Sequence, residues 1–420
     1  MGKDFIVRPN LSTEVNMKRR DFLKYTSLFT AGSLYPNVFA QNTIQGINGR
    51  RLILVELKGG NDGLNTLVPF KNKDYKRVRK NLHLGASEVY SIDKRLGLGL
   101  NKNLSFLTSQ FKSRELAVFH SVGYNNPNKS HFRSIDIWDT AVESNESSTK
   151  GWISKALESN IGEDAASKGI ILGDNNLGPL RGTGQKILVV DNLPQMLRSQ
   201  KLFDEHDLKG NGALEHVISV EGQVLEQLKS LTGKVDFGNS KGKGLIKNVN
   251  TLLQLVKADP KIPFYKLTHG GFDTHINQKQ RHGNLLKAFD DGMKALVNGL
   301  KELGQYDNTL ILTYSEFGRR PMENGSGGTD HGTANCHFAM GGKVKGKIYH
   351  GPNGRGKGGK NGLGGYNLAS IKSTNENLTH RIDFKSIYQT VLDKWWGLAE
   401  PNRPIPMSSK QLNPIDFLKV

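Results

Sequence analysis

Residues 51–63 read Arg51-Leu52-Ile53-Leu54-Val55-Glu56-Leu57-Lys58-Gly59-Gly60-Asn61-Asp62-Gly63. A short run of leucine and β-branched residues that stops at a glycine pair reads as a buried strand followed by a loop. The same pattern recurs downstream. Glu115-Leu116-Ala117-Val118-Phe119-His120-Ser121, Gly169-Ile170-Ile171-Leu172, Lys186-Ile187-Leu188-Val189-Val190, Pro263-Phe264-Tyr265-Lys266-Leu267 and Thr309-Leu310-Ile311-Leu312-Thr313-Tyr314 are further strand candidates, and His337-Phe338-Ala339-Met340 begins another. Helical spacing separates them. Leu285, Leu286, Phe289, Met293, Leu296 and Leu300 share one face of a helix expected over 278–303. Shorter helical patterns follow Ser130 through Ile135, Trp138 and Ala141, and occupy 384–396. Strands alternating with helices imply an α/β fold whose parallel or mixed sheet is covered on both faces. In such sheets the loops at the carboxyl ends of strands build the site.

At 420 residues the chain is long enough to bury a large core. We read residues 41–420 as a single domain, with 195–259 a helical insertion and 341–366 a Gly/Lys-rich surface loop. The formal net charge is +19; with six Lys/Arg against three Asp/Glu in residues 1–40, the remainder keeps +16. A basic surface favours anionic partners: an acidic or sulfated polysaccharide, a small anionic substrate, nucleic acid or an anionic membrane. Nucleic acid is not the expected partner, because no basic run is interleaved with aromatics and no zinc-finger or helix-turn-helix pattern occurs. Cys336 is alone, so no intrachain disulfide forms and stability rests on the core.

Met17-Lys18-Arg19-Arg20-Asp21-Phe22-Leu23-Lys24 looks like a bacterial twin-arginine export signal. Val38-Phe39-Ala40 gives the small-x-small cleavage pattern, so residues 1–40 are expected to be a signal peptide read by the twin-arginine export machinery, with Met17 as a second candidate start. The expected destination is the periplasm or the exterior. No later stretch is apolar for long enough to span a bilayer, so the mature chain is expected to carry no transmembrane segment.

Carboxylates and imidazoles crowd the loops that follow these strands. Asn61 and Asp62 follow the first. Ser130 and His131 stand at a helix start beyond the second. Asp273, Thr274 and His275 follow the strand before the long helix; Glu316 ends the next strand, and Asp330-His331 lies beyond it. Oxygen and nitrogen donors of these types suit hard or borderline divalent metals. A plainer reading stands beside each: Ser130 as a helix cap, Asn61-Asp62-Gly63 as a turn, Glu316 paired with Arg319 or Arg320 on the surface. His131, His269 and His282 are expected to support or pack rather than to ligate, and Ser134 is a rival nucleophile one turn after Ser130.

Gly59-Gly60-Asn61-Asp62-Gly63-Leu64-Asn65, Ser130-His131-Phe132, Gly270-Gly271-Phe272-Asp273-Thr274-His275, Ser315-Glu316-Phe317-Gly318-Arg319 and Thr329-Asp330-His331-Gly332 together resemble the DUF1501 family, sulfatase-like proteins of the alkaline phosphatase superfamily. The resemblance covers most of residues 50–398. It implies a three-layer α/β/α alkaline phosphatase-like fold around a central, mostly parallel sheet. It also implies an exported metal-dependent hydrolase of phosphate or sulfate esters. In that pattern Ser130 is the nucleophile. Asp62 with Asn61, Asp273 with His275, and Asp330 with His331 match its metal-binding positions; with Glu316 added, these residues are expected to hold one or two divalent ions (Zn, Mn, Ca or Mg), and Arg319 or Arg133 is expected to hold the anion. Two departures are visible. Asp273 and His275 are spaced i, i+2 where relatives show i, i+4, and an insertion separates Glu316 from Asp330. Either Glu316 takes the metal with His331 as a late ligand, or the loop folds back and brings both Asp330 and His331. A further histidine expected near the C-terminus has only His350 and His380 as candidates. Ser130-His131-Phe132-Arg133-Ser134 lacks the proline of a formylglycine signal, so Ser130 itself would react. A non-catalytic glycan- or envelope-binding protein on the same fold is the alternative, and a nucleic-acid phosphodiesterase is a third.

Overall fold

The computed structural model describes residues 49–158, 167–182, 187–190, 242–350, 368–398 and 414–420. The signal segment 1–40, most of the 195–259 insertion and residues 351–366 lie outside the described residues. In chain order the strands are β1 (Arg51–Leu57), β2 (Leu67–Val68), β3 (Val89–Asp93), β4 (Leu98–Asn101), β5 (Leu116–Gly123), β6 (Gly169–Leu172), β7 (Ile187–Val190), β8 (Phe264–His269), β9 (Thr309–Tyr314), β10 (Asn335–Met340), β11 (Ile348–Tyr349) and β12 (Ile382–Asp383).

Nine of them form one sheet in the order β11-β5-β10-β9-β1-β8-β6-β7, with β12 also alongside β5. β9, β1, β8, β6 and β7 are mutually parallel, whereas β10 runs antiparallel to both β9 and β5. All seven residues of β1 are buried, as a strand flanked by two parallel neighbours and covered on both faces must be. Side chains alternate between two cores with the period of the pleat. Leu52 and Leu54 face Trp138, Trp152, Tyr388 and Trp395, brought by the helices His131–Thr140, Trp152–Glu158 and Phe384–Thr390 and the π-helical turn Val391–Trp395. Ile53, Val55 and Leu57 face Leu107, Val249, Leu252, Phe289, Met293 and Leu296, from the helices Ser105–Lys112, Leu245–Ala258 and Gln278–Glu302. The result is the expected three-layer α/β/α arrangement with a mostly parallel central sheet.

Register decides where the loops go. Leu57 pairs with His269 and Glu56 with Tyr314, so β1, β8 and β9 end together and their following loops leave from one edge. β10 is antiparallel and therefore starts at that edge, so the long connection 315–334 begins and ends there. β5, two strands from β9 through β10, points the same way and delivers the His131–Thr140 helix to the same place. A second, three-stranded antiparallel sheet, β2-β4-β3, and the helices Lys73–Val78, Ser105–Lys112 and Trp152–Glu158 have no counterpart in the sequence reading. These strands have two to five residues, too few for periodicity to register.

Candidate metal centre

Two glycines let the four loops close on one another. Gly59 and Gly60 hold φ of +117° and +81°, and a Cβ on either would stand 2.4 Å from the Asp273 amide nitrogen or from the Phe317 ring respectively. Only glycine combines that backbone region with so close an approach. The loop after β1 therefore lies directly under Phe272-Asp273 and Phe317, and the buried Arg319 guanidinium ties the layers together. Its Nε donates to Gly60 O (2.7 Å), Nη1 to Thr329 O (2.9 Å), and Nη2 to Gly59 O, Phe272 O (2.9 Å) and Asp273 Oδ1 (2.7 Å).

The insertion between Glu316 and Asp330 folds back. Arg320 N donates to Asp330 O and Gly332 N to Gly318 O, with an antiparallel bridge between Arg319 and His331. This return carries His331 to Asp273, where Nε2 lies 3.2 Å from Oδ1. His275 Nε2 lies 3.0 Å from the same oxygen and 3.0 Å from His331 Nε2. His131 Nε2 lies 3.5 Å from Asp273 Oδ2. His131, Asp273 and His331 present ligand atoms that all lie within 4.8 Å of one another, and His275 adds a third imidazole on the far side of His331.

Each imidazole is held from behind through Nδ1. His131 Nδ1 donates to Glu316 Oε1 (2.8 Å) and His331 Nδ1 to Lys129 O (2.9 Å), while His275 Nδ1 stands 3.4 Å from Asp330 Oδ1. A carboxylate or a carbonyl can only accept, so Nδ1 of His131 and of His331 carries the hydrogen and Nε2 is the atom turned toward Asp273. Phe317 floors the group, its ring 4.9 Å from that of His131 and 4.4 Å from that of His331. The electrostatics follow. The hydrogen bond that His131 donates to Glu316 raises the His131 pKa above its ordinary value, against burial, whereas burial lowers that of His331. Burial alone would raise Asp273, but the hydrogen bond and charge of Arg319 hold it at about 2.

Of the residues expected from sequence, Asp273, His275, His331 and, at the margin, Asp330 come together. Glu316 does not turn a free oxygen to the group. Its carboxylate is buried and accepts from Gly59 N (2.8 Å), His131 Nδ1 and Ser315 Oγ (3.2 Å), so it stands behind His131. His131, expected to be a supporting residue, takes the inner place. Its one sequence signal is its position, directly after Ser130 at a helix start. Asp62 and Asn61 also lie elsewhere. Asp62 is buried and caps the turn at Leu64; both its oxygens are taken by the equally buried Arg79, and Gln278 Nε2 donates to one of them. Burial would raise the Asp62 pKa, yet the Arg79 guanidinium keeps it below the usual carboxylate range. Asn61 Oδ1 accepts from His282 Nε2 (2.9 Å) and Thr66 Oγ1, and its amide donates to Asn335.

Neither expected arginine is free to clamp an anion. Arg319 is spent on loop carbonyls and Asp273, and Arg133 turns to Asp136, Ser144 O and Glu146 O. Ser130 is exposed in extended backbone at the N-cap of His131–Thr140, and its side chain makes no capping bond. Ser134 is buried and bonded to Glu316 O and Tyr124 OH, which removes it as a rival. His269 bonds Leu285 O; His350 packs on His120, and His380 lies beside Gly123, and neither is among the residues whose ligand atoms gather at Asp273.

A family model described as "Protein of unknown function (DUF1501)" matches residues 132–407, well over half of the chain. The chain belongs to the DUF1501 family. The matched segment begins one residue after His131 and contains Asp273, His275 and His331 of this DUF1501 protein. No curated protein matches it in sequence. Among solved structures, "Ps i-CgsB" is similar at 14% identity, covering 87% of this chain and 77% of its own, with a TM-score of 0.41. The C-terminal periplasmic domain of EcEptC from Escherichia coli, in complex with Zn, is 8% identical over 70% of this chain and 72% of its own, TM-score 0.37. PsFucS1 sulfatase from Pseudoalteromonas sp. is 14% identical over 72% and 64%, TM-score 0.34. Likeness at this level says nothing of what this DUF1501 chain acts on. Among the described residues, no helix is long and apolar enough to cross a membrane.

Proposed function

We propose that this protein is an exported, alkaline phosphatase-like hydrolase that uses one divalent cation to cleave a phosphate or sulfate ester. The observation that carries the reading is the convergence of three imidazole Nε2 atoms on the Asp273 carboxylate, each imidazole with its Nδ1 turned to an acceptor behind it. Nitrogen lone pairs and a carboxylate oxygen do not face one another at 3.0–3.2 Å without positive charge between them. Arg319 and a shared proton supply part of that charge, and a metal ion would supply the rest. Backing of ligand imidazoles by a carboxylate and a carbonyl is what metal sites require. Three nitrogens and one oxygen suit zinc better than manganese, calcium or magnesium, which favour oxygen-rich sites.

When bound, the cation would supply Lewis-acid stabilisation of charge on the transferred group. The chain's own groups do the rest. Glu316 and Lys129 O orient His131 and His331. Ser130, at a helix N-terminus whose free amides favour a tetrahedral anion, forms the new bond to phosphorus or sulfur through Oγ. Its proton passes to water, the ester oxygen leaves with the bonding pair and is protonated by water, and a second water releases the acid. The net positive charge favours a polyanionic substrate such as a sulfated glycan.

The test is reconstitution with Zn²⁺ or Mn²⁺, metal analysis, and hydrolysis of 4-nitrophenyl phosphate and sulfate by the wild-type chain and Ser130→Ala. Metal uptake with hydrolysis lost in Ser130→Ala is expected; no metal uptake sinks the reading. A non-catalytic glycan- or envelope-binding protein is the second reading. It is favoured by one observation: neither Arg319 nor Arg133 presents a free guanidinium to the cluster. Metal uptake without turnover of any ester would support it.

A further inference from the structure

Four large hydrophobic side chains are exposed among the described residues: Tyr90, Phe132, Ile276 and Val420. Two of the four directly follow a histidine of the cluster, Phe132 after His131 and Ile276 after His275. Phe132 is 88% exposed. A single exposed hydrophobic is ordinary on a protein surface, but these two both adjoin the cluster, where a molecule bound there would cover them and remove apolar area from water.

We propose that Phe132 is the platform on which one sugar ring of an anionic polysaccharide stacks when its acidic group enters the cluster. The inference rests on the reading of the cluster as an anion-directed metal site. Three features select a sugar ring. The chain neighbours of Phe132 (Asn128, Lys129, Ser130 and Arg133) are polar, and Ile276 is the one other large hydrophobic exposed beside the cluster among the described residues, whereas a lipid surface or a large protein partner would need a contiguous apolar patch. A pyranose has a flat apolar face and a hydroxyl-bearing edge, and matches one ring set among polar groups. The net charge of +16 outside residues 1–40 complements a polyanion. Position adds a division of labour. Successive residues on a helix diverge by about 100° around its axis, so while His131 turns to Asp273, Phe132 turns away from it into solvent. It would therefore read the sugar beside the reacting group, not that group itself, and act on specificity.

The experiment is calorimetric binding of a heparin-derived sulfated hexasaccharide, and separately of inorganic polyphosphate, to the zinc-loaded full chain. Phe132→Ala should bind the hexasaccharide about tenfold more weakly, the value of one aromatic contact, and Phe132→Trp should restore it with a fluorescence shift on binding. Polyphosphate, a polyanion without a ring, should bind all three equally, and metal content should not change. No hexasaccharide binding by the wild-type chain, equal binding by Phe132→Ala, or a Phe132-dependent affinity for anionic phospholipid vesicles alone overturns the proposal. Binding does not require turnover. A chain that binds through Phe132 yet hydrolyses nothing keeps this inference and loses the hydrolase reading; a chain that hydrolyses esters but binds sugar without Phe132 does the reverse.

Discussion

His131 Nδ1 lies 2.8 Å from Glu316 Oε1, and that one contact exchanges the roles the two residues carry in a linear reading. The carboxylate at the end of β9 is occupied by the histidine and the Gly59 amide, and the histidine is what reaches Asp273. Glu316→Ala should therefore weaken metal binding without deleting a ligand. Loss of such a backing group typically costs about 10- to 100-fold in affinity. Glu316→Gln, which still offers an oxygen to Nδ1, should recover much of it. Competition against a chelator of known affinity measures both; equal affinity in Glu316→Ala and wild type would remove Glu316 from this role.

The residues proposed as direct ligands should behave differently. Asp273→Asn and His331→Ala are expected to lower bound zinc far more than Glu316→Gln does, with circular dichroism unchanged. Plasma mass spectrometry on the purified chains gives the comparison. Full metal content in Asp273→Asn contradicts the assignment of the centre.

Asp62 and Arg79 form a fully buried pair with no exposed alternative for either charge. Asp62→Asn leaves a buried guanidinium uncompensated and should cost about 3–5 kcal/mol of stability, read by urea unfolding. The folded fraction should keep its metal, because Asp62 lies outside the cluster. Loss of metal from well-folded Asp62→Asn would return this residue to the ligand set.

Arg319→Lys should be almost as damaging as Arg319→Ala. One ammonium cannot reach the carbonyls of Gly59, Gly60, Phe272 and Thr329 together with Asp273. A thermal melting point close to wild type in Arg319→Lys would show that the brace is unnecessary.

His337 is buried against Trp138, and burial lowers its pKa to about 3; His282 is lowered to about 4 by burial as well. Both are neutral in the fold and protonate near pH 6.5 when unfolded. Their contribution to stability is thus complete above about pH 6.5 and is lost as pH falls toward 4, at about 1.4 kcal/mol per pH unit for each proton taken up on unfolding. His337→Phe should flatten the pH dependence of stability between about pH 6.5 and pH 4 by one proton. An unchanged slope contradicts this account.

Four of the long strands and the edge on which the site lies were legible in the chain because both depend on local pattern. Runs such as 51–57, 116–123, 264–269 and 309–314 are apolar over a strand's length, and in a parallel sheet their following loops gather at one edge whatever the details. Asp273 and His275 could be placed there for the same reason. The family resemblance rested on motifs in those loops. What the linear pattern could not supply was which atoms meet. Glu316 and His131 are 185 residues apart, Asp62 and Arg79 17, and Asp273 and His331 58. Their pairings depend on how the backbone turns after each strand, on two glycines that let the loops touch, and on the antiparallel return of the 316–331 loop. Hydrogen-bond direction at 3 Å is set by that packing, so only the tertiary structure decided that a carboxylate stands behind a histidine and that a guanidinium, not a metal, answers Asp62.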